Sequence, residues 1–267
     1  MTELPPVGIG TWENTDPEAC ANAVQTALEM GYRHVDTADI YGNEQHVGEG
    51  IERADVDRES FVLASKAHTK ATGLTYDGVI ETAEQSLDRL GVDALDLFYV
   101  HWPMGDYDAE ETLPAFDELV ADGLIREVGV SNFSPELVEE AMEILDAPLF
   151  ANQVEMHPLL QQEALVAHAQ AHDYYLVAYS PLARGDVFDV PEVSEVADKH
   201  GVSEAQVSLA WLRSKDNVVA IPKATSPAHI EDNYASLDLA LDDEDLAAID
   251  GIEREDRHLD FDAAPWN

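Results

Sequence analysis

Eight short runs rich in β-branched and aromatic residues recur along the chain, with room for helical segments between them, and this recurrence restricts the fold more than any other feature. They are "VGIGTW" (7–12), "RHVDTA" (33–38), "SFVLASK" (60–66), "LDLFYVHW" (95–102), "REVGVSN" (126–132), "FANQVEM" (150–156), "YLVAYSP" (175–181) and "VVAIPKA" (218–224). The intervening segments carry helical periodicity, among them "PEACANAVQTALEMG", "YDGVIETAEQSLDRLG", "SPELVEEAMEIL" and "HIEDNYASLDLAL". Asp16, Ser134 and Ser226 each stand before a proline, the pattern of an N-cap ahead of the first helical position, and Ser203 with Gln206 reads as a capping box. Gly31, Gly91, Gly123 and Gly201 fall where the preceding helices should stop.

Eight parallel strands alternating with helices predict a closed α/β fold, the (β/α)8 TIM barrel, as a single domain over residues 1–267. A doubly wound sheet is the rival. It would favour a G-x-G-x-x-G turn after the first strand, whereas Gly8 and Gly10 are followed by Thr11, Trp12 and Glu13.

Composition narrows the function. Lys and Arg total 14 against 55 Asp and Glu, a formal net charge of −41, so nucleic acid and anionic membranes are excluded as expected partners. Aliphatic runs spread over the whole chain argue for a packed fold under a solvated acidic surface. The single Cys20 lies on an apolar helix face, and no apolar run approaches ~20 residues. "MTELPPVGIG" lacks the basic and apolar parts of a signal peptide, so a reduced, cytoplasmic protein is expected.

In a barrel the chemistry sits at the C-terminal ends of the strands. Here those ends carry Thr11 and Trp12, Asp36 and Tyr41, Lys66, His101 and Trp102, Ser131 and Asn132, Gln153 to His157, Tyr179 and Ser180, and Lys223. Any one of these residues alone reads most simply as a solvent contact or a cap. Lys66 stands apart, because a lysine directly after "FVLAS" enters a half-buried site and needs a carboxylate partner. A buried ammonium beside a phenol should favour the phenolate and lower a tyrosine pKa from about 10, while a carboxylate keeps the lysine charged. That reasoning groups Tyr41, Lys66 and Asp36, with Asp39 left as a surface carboxylate.

The blocks "GYRHVDTADIYGNEQHVG" (31–48), "LASKAH" (63–68), "DLFYVHWP" (96–103), "GLIREVGVSNFS" (123–134), "ANQVEMHP" (151–158), "AYSPLARG" (178–185) and "AIPKATSPAHIEDN" (220–233) resemble the aldo-keto reductase family, and its prokaryotic 2,5-diketogluconate reductase-like members in particular. The likeness runs from Gly8 to the terminal "APWN". It implies NADP(H)-dependent reduction of aldehydes and ketones to alcohols, with NAD(H) as a possible second coenzyme, by a monomer acting on a small-molecule carbonyl substrate. It implies a tetrad of Asp36, Tyr41, Lys66 and His101, in which Tyr41 protonates the carbonyl oxygen, neutral His101 orients it, Lys66 tunes Tyr41 and Asp36 holds Lys66. Tyr179 would stack on the nicotinamide, and Ser131, Asn132 and Gln153 would bind its carboxamide. Thr11, Ser180 and Leu182 complete that end of the expected cofactor site. Lys223, Ala224, Thr225, His229, Asp232 and Asn233 are its adenosine end, with Lys223 beside a helix N-terminus suited to a 2′-phosphate. Trp12 and Trp102 would wall the substrate pocket with Tyr41 and His101.

Two departures bear on the coenzyme. His229 stands where many NADPH-preferring members carry Arg, and Ala224 replaces the usual Ser. Neutral His lacks the bidentate fork of Arg, which predicts weaker discrimination between NADPH and NADH. Two other readings compete: a metal-dependent hydrolase with His34, Asp36, His101 and His157 as ligands, and a non-catalytic barrel that binds a nucleotide. The tetrad weighs against both, and no metal is expected.

Self-repulsion at −41 destabilises a compact chain in dilute buffer, while at ~1 M salt the Debye length falls to about 3 Å. A protein adapted to high salt is the hypothesis this motivates. The melting temperature is therefore expected to rise by at least several degrees between dilute buffer and ~1 M NaCl, and equal values would refute salt adaptation.

Overall fold

A strand buried on both faces in a parallel sheet needs no polar face, and the eight apolar runs form such strands. The computed structural model describes residues 3–262 and 264–266; Met1, Thr2, Ala263 and Asn267, at the two ends of the chain, lie outside the described residues. The elements are β1 (Ile9–Gly10), α1 (Pro17–Met30), β2 (His34–Asp36), α2 (Glu44–Arg53), β3 (Val62–Ala67), α3 (Tyr76–Leu90), β4 (Leu95–Val100), α4 (Ala109–Ala121), β5 (Ile125–Ser131), α5 (Pro135–Ile144), β6 (Leu149–Glu155), α6 (Glu163–His172), β7 (Tyr175–Tyr179), α7 (Pro191–His200), α8 (Glu204–Arg213), β8 (Val218–Ala220), α9 (Pro227–Ala235) and α10 (Asp243–Asp250). The strands pair in parallel in chain order from β1 to β8. Parallel bridges Val7–Ala220 and Gly10–Lys223 join the last strand to the first, so the sheet closes into a (β/α)8 barrel of one domain. Among the described residues no helix is long and apolar enough to cross a membrane.

The caps behave as their chemistry requires. Asp16, Ser134, Ser203 and Ser226 each accept a backbone N–H from three residues on. The box at Ser203 is only half made, because the Gln206 side chain turns to Asp232 Oδ1 at 2.6 Å instead of back to the cap. A reciprocated box forms at Asp242 and Asp245. The periodic stretch 229–241 is helical to Ala235, then tightens into a 3₁₀ turn at Ser236–Asp238. Two helices and a 3₁₀ segment, Ala183–Asp189, separate β7 from β8 in place of one helix.

The pleat sorts side chains with a period of two. One set, including Val35, Leu63, Phe98, Val100, Val128, Val130 and Leu176, packs outward against the helices. The other, Val62, Ala64, Leu97, Tyr99, Ala151, Val177, Val219 and Ile221, forms a separate cluster that fills the barrel. Continuing the inner set toward the strand ends brings in Asp36, Lys66, His101, Ser131, Gln153 and Tyr179 by parity alone. On the sheet's other end, buried Asp96 accepts from Leu63 N at 2.8 Å and pairs with Arg58 at 2.7 Å and Arg126 at 2.8 Å, tying β3, β4 and β5 together.

The inner layer tolerates no added volume at Gly129. A Cβ there would lie 2.4 Å from Cδ1 of the Tyr99 ring, and that ring is fully buried. Gly129→Ala is expected to lower stability by about 1–3 kcal/mol, read as a reduced urea midpoint. An unchanged midpoint would mean that the ring has room to move.

Candidate active site

The inner ladder ends in a cavity of about 920 Å³ at the C-terminal rim of the barrel. Beneath its floor lies Lys66, with no exposed surface, at the end of β3. Its Nζ donates to Asp36 Oδ1 at 2.5 Å and to the Thr37 carbonyl at 2.6 Å. The second oxygen of Asp36 accepts from Gln153 Nε2 at 2.8 Å, so strands β2, β3 and β6 meet at one carboxylate. Burial lowers the Lys66 pKa, and Asp36 opposes that shift.

Tyr41, on the 3₁₀ turn after β2, and His101, after β4, sit above this pair and line the cavity. Their rings meet edge to face with centroids 5.6 Å apart, and Lys66 Nζ lies 5.4 Å from the Tyr41 ring centroid. The expectation that Lys66 lowers the phenol pKa is overturned. Burial, followed by Asp36, Tyr179 and Asp39, holds Tyr41 well above its ordinary value. The physical reason is burial first of all: removing the phenol from water favours its neutral form, although the Lys66 ammonium lies near the ring. His101 is held well below its ordinary pKa, by burial first and then by Lys66 and His68, a direction that favours the neutral imidazole.

The cofactor-side expectations divide. Thr11, Ser131, Asn132, Gln153, Tyr179, Ser180, Leu182 and Lys223 line the cavity, as do Trp12 and Trp102. Asn132, in the left-handed region at φ 64°, donates to the His101 carbonyl and to Ser131 Oγ, both at 3.0 Å, and accepts from Tyr179 OH at 2.8 Å. Ala224, Thr225, His229, Asp232 and Asn233 do not line it. Ala224 packs into the core, Thr225 and His229 are exposed around the start of α9, and Asn233 is buried. The Asp232 oxygens accept from Ser203 Oγ at 2.7 Å and Gln206 Nε2 at 2.6 Å, so this residue anchors α9 to the start of α8.

The hydrolase reading finds no support in this geometry. Among the described residues His34, Asp36, His101 and His157 do not gather into a ligand set. His34 is packed against Gly8, with burial depressing its pKa to about 4, and His157 pairs with Glu155 at 3.1 Å.

Several lining residues escaped the sequence reading. His68 stacks edge-on against His101 at 5.2 Å, and its place two residues after Lys66 on the inner face was the available signal. Arg184 lies over the Trp12 ring at 4.7 Å from an irregular turn that sequence periodicity does not reveal. The tail after Arg257, in contrast, is expected from the family resemblance to complete the pocket, and it roofs the cavity with Leu259 and Phe261, the latter 5.1 Å from the Trp102 ring. Glu155 holds this tail by accepting from His258 N at 2.8 Å and Leu259 N at 2.9 Å. Asp39 is also corrected. It is half-buried, its Oδ1 accepts from Ile40 N at 2.5 Å, its Oδ2 is buried without a hydrogen bond, and burial raises its pKa to about 7.

The lining reverses the sign of the surface. Lys70, Arg184 and Lys223 stand at the rim against Glu13 and the already paired Asp36. In a chain of 14 basic residues, that concentration fits a ligand with anionic groups.

Such a barrel, with a Tyr, Lys, Asp and His converging at its rim, defines the class of an oxidoreductase. The model of the Aldo/keto reductase family matches residues 6–254. An aldo-keto reductase of Mycobacterium sp. (strain KMS) is 41% identical over 252 residues, covering 94% of this chain and 90% of the relative. Glyoxal reductase of Bacillus subtilis (strain 168) is 36% identical over 255 residues, covering 96% and 91%. The structure of aldose reductase from Giardia lamblia superposes with a TM-score of 0.90 at 31% identity, covering 97% of this chain and 96% of that one. The chain belongs to the aldo/keto reductase family, whose members reduce carbonyl groups with a nicotinamide coenzyme.

Asp39 generates a pH dependence of fixed sign. Its folded pKa of about 7 exceeds the unfolded value near 3.8, so the folded state binds more protons between those limits and stability falls as pH rises through that window. The loss is up to about 4 kcal/mol. Asp39→Asn should therefore gain denaturation midpoint relative to wild type at pH 8 but not at pH 4. Equal differences at both values would place Asp39 in water.

Proposed function

We propose that this protein reduces small aldehydes and ketones to alcohols with NADP(H), NAD(H) serving less well, using Tyr41 as the proton donor. The observation that carries the reading is the convergence of Tyr41, Lys66, Asp36 and His101 at the floor of one cavity. The lining fits a dinucleotide: the cavity is large, an aromatic wall stands at Tyr179, and cations stand at its mouth. Ser131, Asn132, Gln153 and Tyr179 would hold the nicotinamide end, Thr11, Ser180 and Leu182 its flank, and Lys223, with exposed Thr225 and His229 near the N-terminus of α9, the phosphates. When bound, the reduced nicotinamide supplies hydride to the carbonyl carbon.

The chain's own residues handle the oxygen. Neutral His101 donates a hydrogen bond that orients it. Tyr41 keeps its proton in the resting site because burial opposes the phenolate. An oxygen gaining negative charge binds that proton more strongly than the phenol does, and the Lys66 ammonium then stands beside the phenolate left behind. Asp36 keeps Lys66 in place and, through Gln153, ties the cofactor wall to the proton donor. Trp12, Trp102 and the tail exclude water from the reacting centre.

Tyr41→Phe is expected to lower kcat by at least about 10²–10⁴ while leaving coenzyme affinity within about twofold, measured by nicotinamide absorbance over a panel of aldehydes and diketones. Normal turnover by this variant would end the assignment. In the same assay the preference for NADPH over NADH should stay below about a thousandfold, because His229 replaces a guanidinium.

A further inference from the structure

Helix α6 is lightly anchored in the outer wall. It buries only Leu165 and Ala169, and it starts at Gln162, in the left-handed region, with no side-chain cap. On its outer side His168 and His172, one turn apart, stack with ring centroids 4.2 Å apart and planes 19° from parallel. Glu139 of α5 reaches across, its Oε1 3.6 Å from His168 Nε2. One ligand atom from each of the three residues lies within 4.8 Å of the others.

Two details separate this cluster from an accidental group of polar side chains. His168 Nε2 is buried and has no hydrogen bond. The other ring nitrogen, Nδ1, is 3.0 Å from the hydroxyl of buried Tyr174. When Nδ1–H donates to that hydroxyl, Nε2 is left as a lone-pair nitrogen aimed at the gap between the helices, the support found behind metal-ligating histidines. The buried group of Glu155, His157 and His258 offers the same ligand types, but there the carboxylate is satisfied by His157 and two backbone N–H groups of the tail.

We propose that His168, His172 and Glu139 form a divalent transition-metal site, of zinc type, that staples α6 to α5. Two imidazoles and one carboxylate, with the remaining positions left to water, suit Zn²⁺ and Ni²⁺ and discriminate against Mg²⁺ and Ca²⁺. Exposed Glu139 and His172 supply the freedom to close the ligand spacing around an ion, while Tyr174 holds His168 fixed. The acidic surface raises the local cation concentration. The site lies outside the barrel, so it acts on stability and leaves the chemistry at Tyr41 alone.

The test is calorimetric titration of zinc chloride into the purified protein in ~0.5 M NaCl, where loose association with carboxylates is screened. One saturable site with a Kd on the order of 1 μM is expected, with no matching heat for magnesium chloride. His172→Asn should weaken zinc binding at least about tenfold, while His258→Asn should leave it unchanged. Excess zinc should raise the melting temperature by about 5 °C in wild type and not in His172→Asn, with carbonyl reduction the same in both. Absence of saturable binding below ~1 mM, or retention of full affinity in His172→Asn, would overturn the proposal. Loss in His258→Asn would overturn it by moving the ion to the buried group.

Discussion

The contact between the Lys66 ammonium and the Asp36 carboxylate organises the whole site. A lysine with no exposed surface is tenable because Asp36 and the Thr37 carbonyl both receive its protons. Asp36 is shared, since its other oxygen takes the amide of Gln153 from across the barrel. Positions on β2, β3 and β6 are thus mutually determined, and Tyr41 and His101 rest on a floor that cannot shift without leaving a buried charge unpaired. Removing either partner would leave such a charge, at a cost of about 3–5 kcal/mol.

Much of this was legible beforehand for a physical reason. Parallel strands buried on both faces read as apolar runs, and a polar residue that breaks such a run at its C-terminal end is either capped or functional. Lys66 after "FVLAS" and His101 after "LFYV" are such breaks; His101 lines the cavity and Lys66 lies buried beneath it. Proline-marked caps fixed the starts of α1, α5 and α9 because their chemistry involves only neighbours in the chain.

What escaped depends on contacts between distant segments. Asp39 reads as one more surface acid among 55, and only the packing around it shows that an oxygen is buried. Asp232 ties α9 to the start of α8, a contact that nothing in "HIEDNY" reveals. The direction of the Tyr41 shift was misjudged for a related reason: proximity to Lys66 was foreseen, but not the burial that favours the neutral phenol.

The tail that roofs the cavity is fastened by Glu155, which ends the same inner ladder as Gln153. Roof and floor are therefore indexed to one strand instead of to two independent loops. Residues beyond Leu259 can be exchanged while the backbone N–H groups that engage Glu155 remain, since those groups belong to every amino acid but proline. The barrel thereby separates what it must keep, the register of β6, from what it is free to vary, the face its roof presents to a substrate.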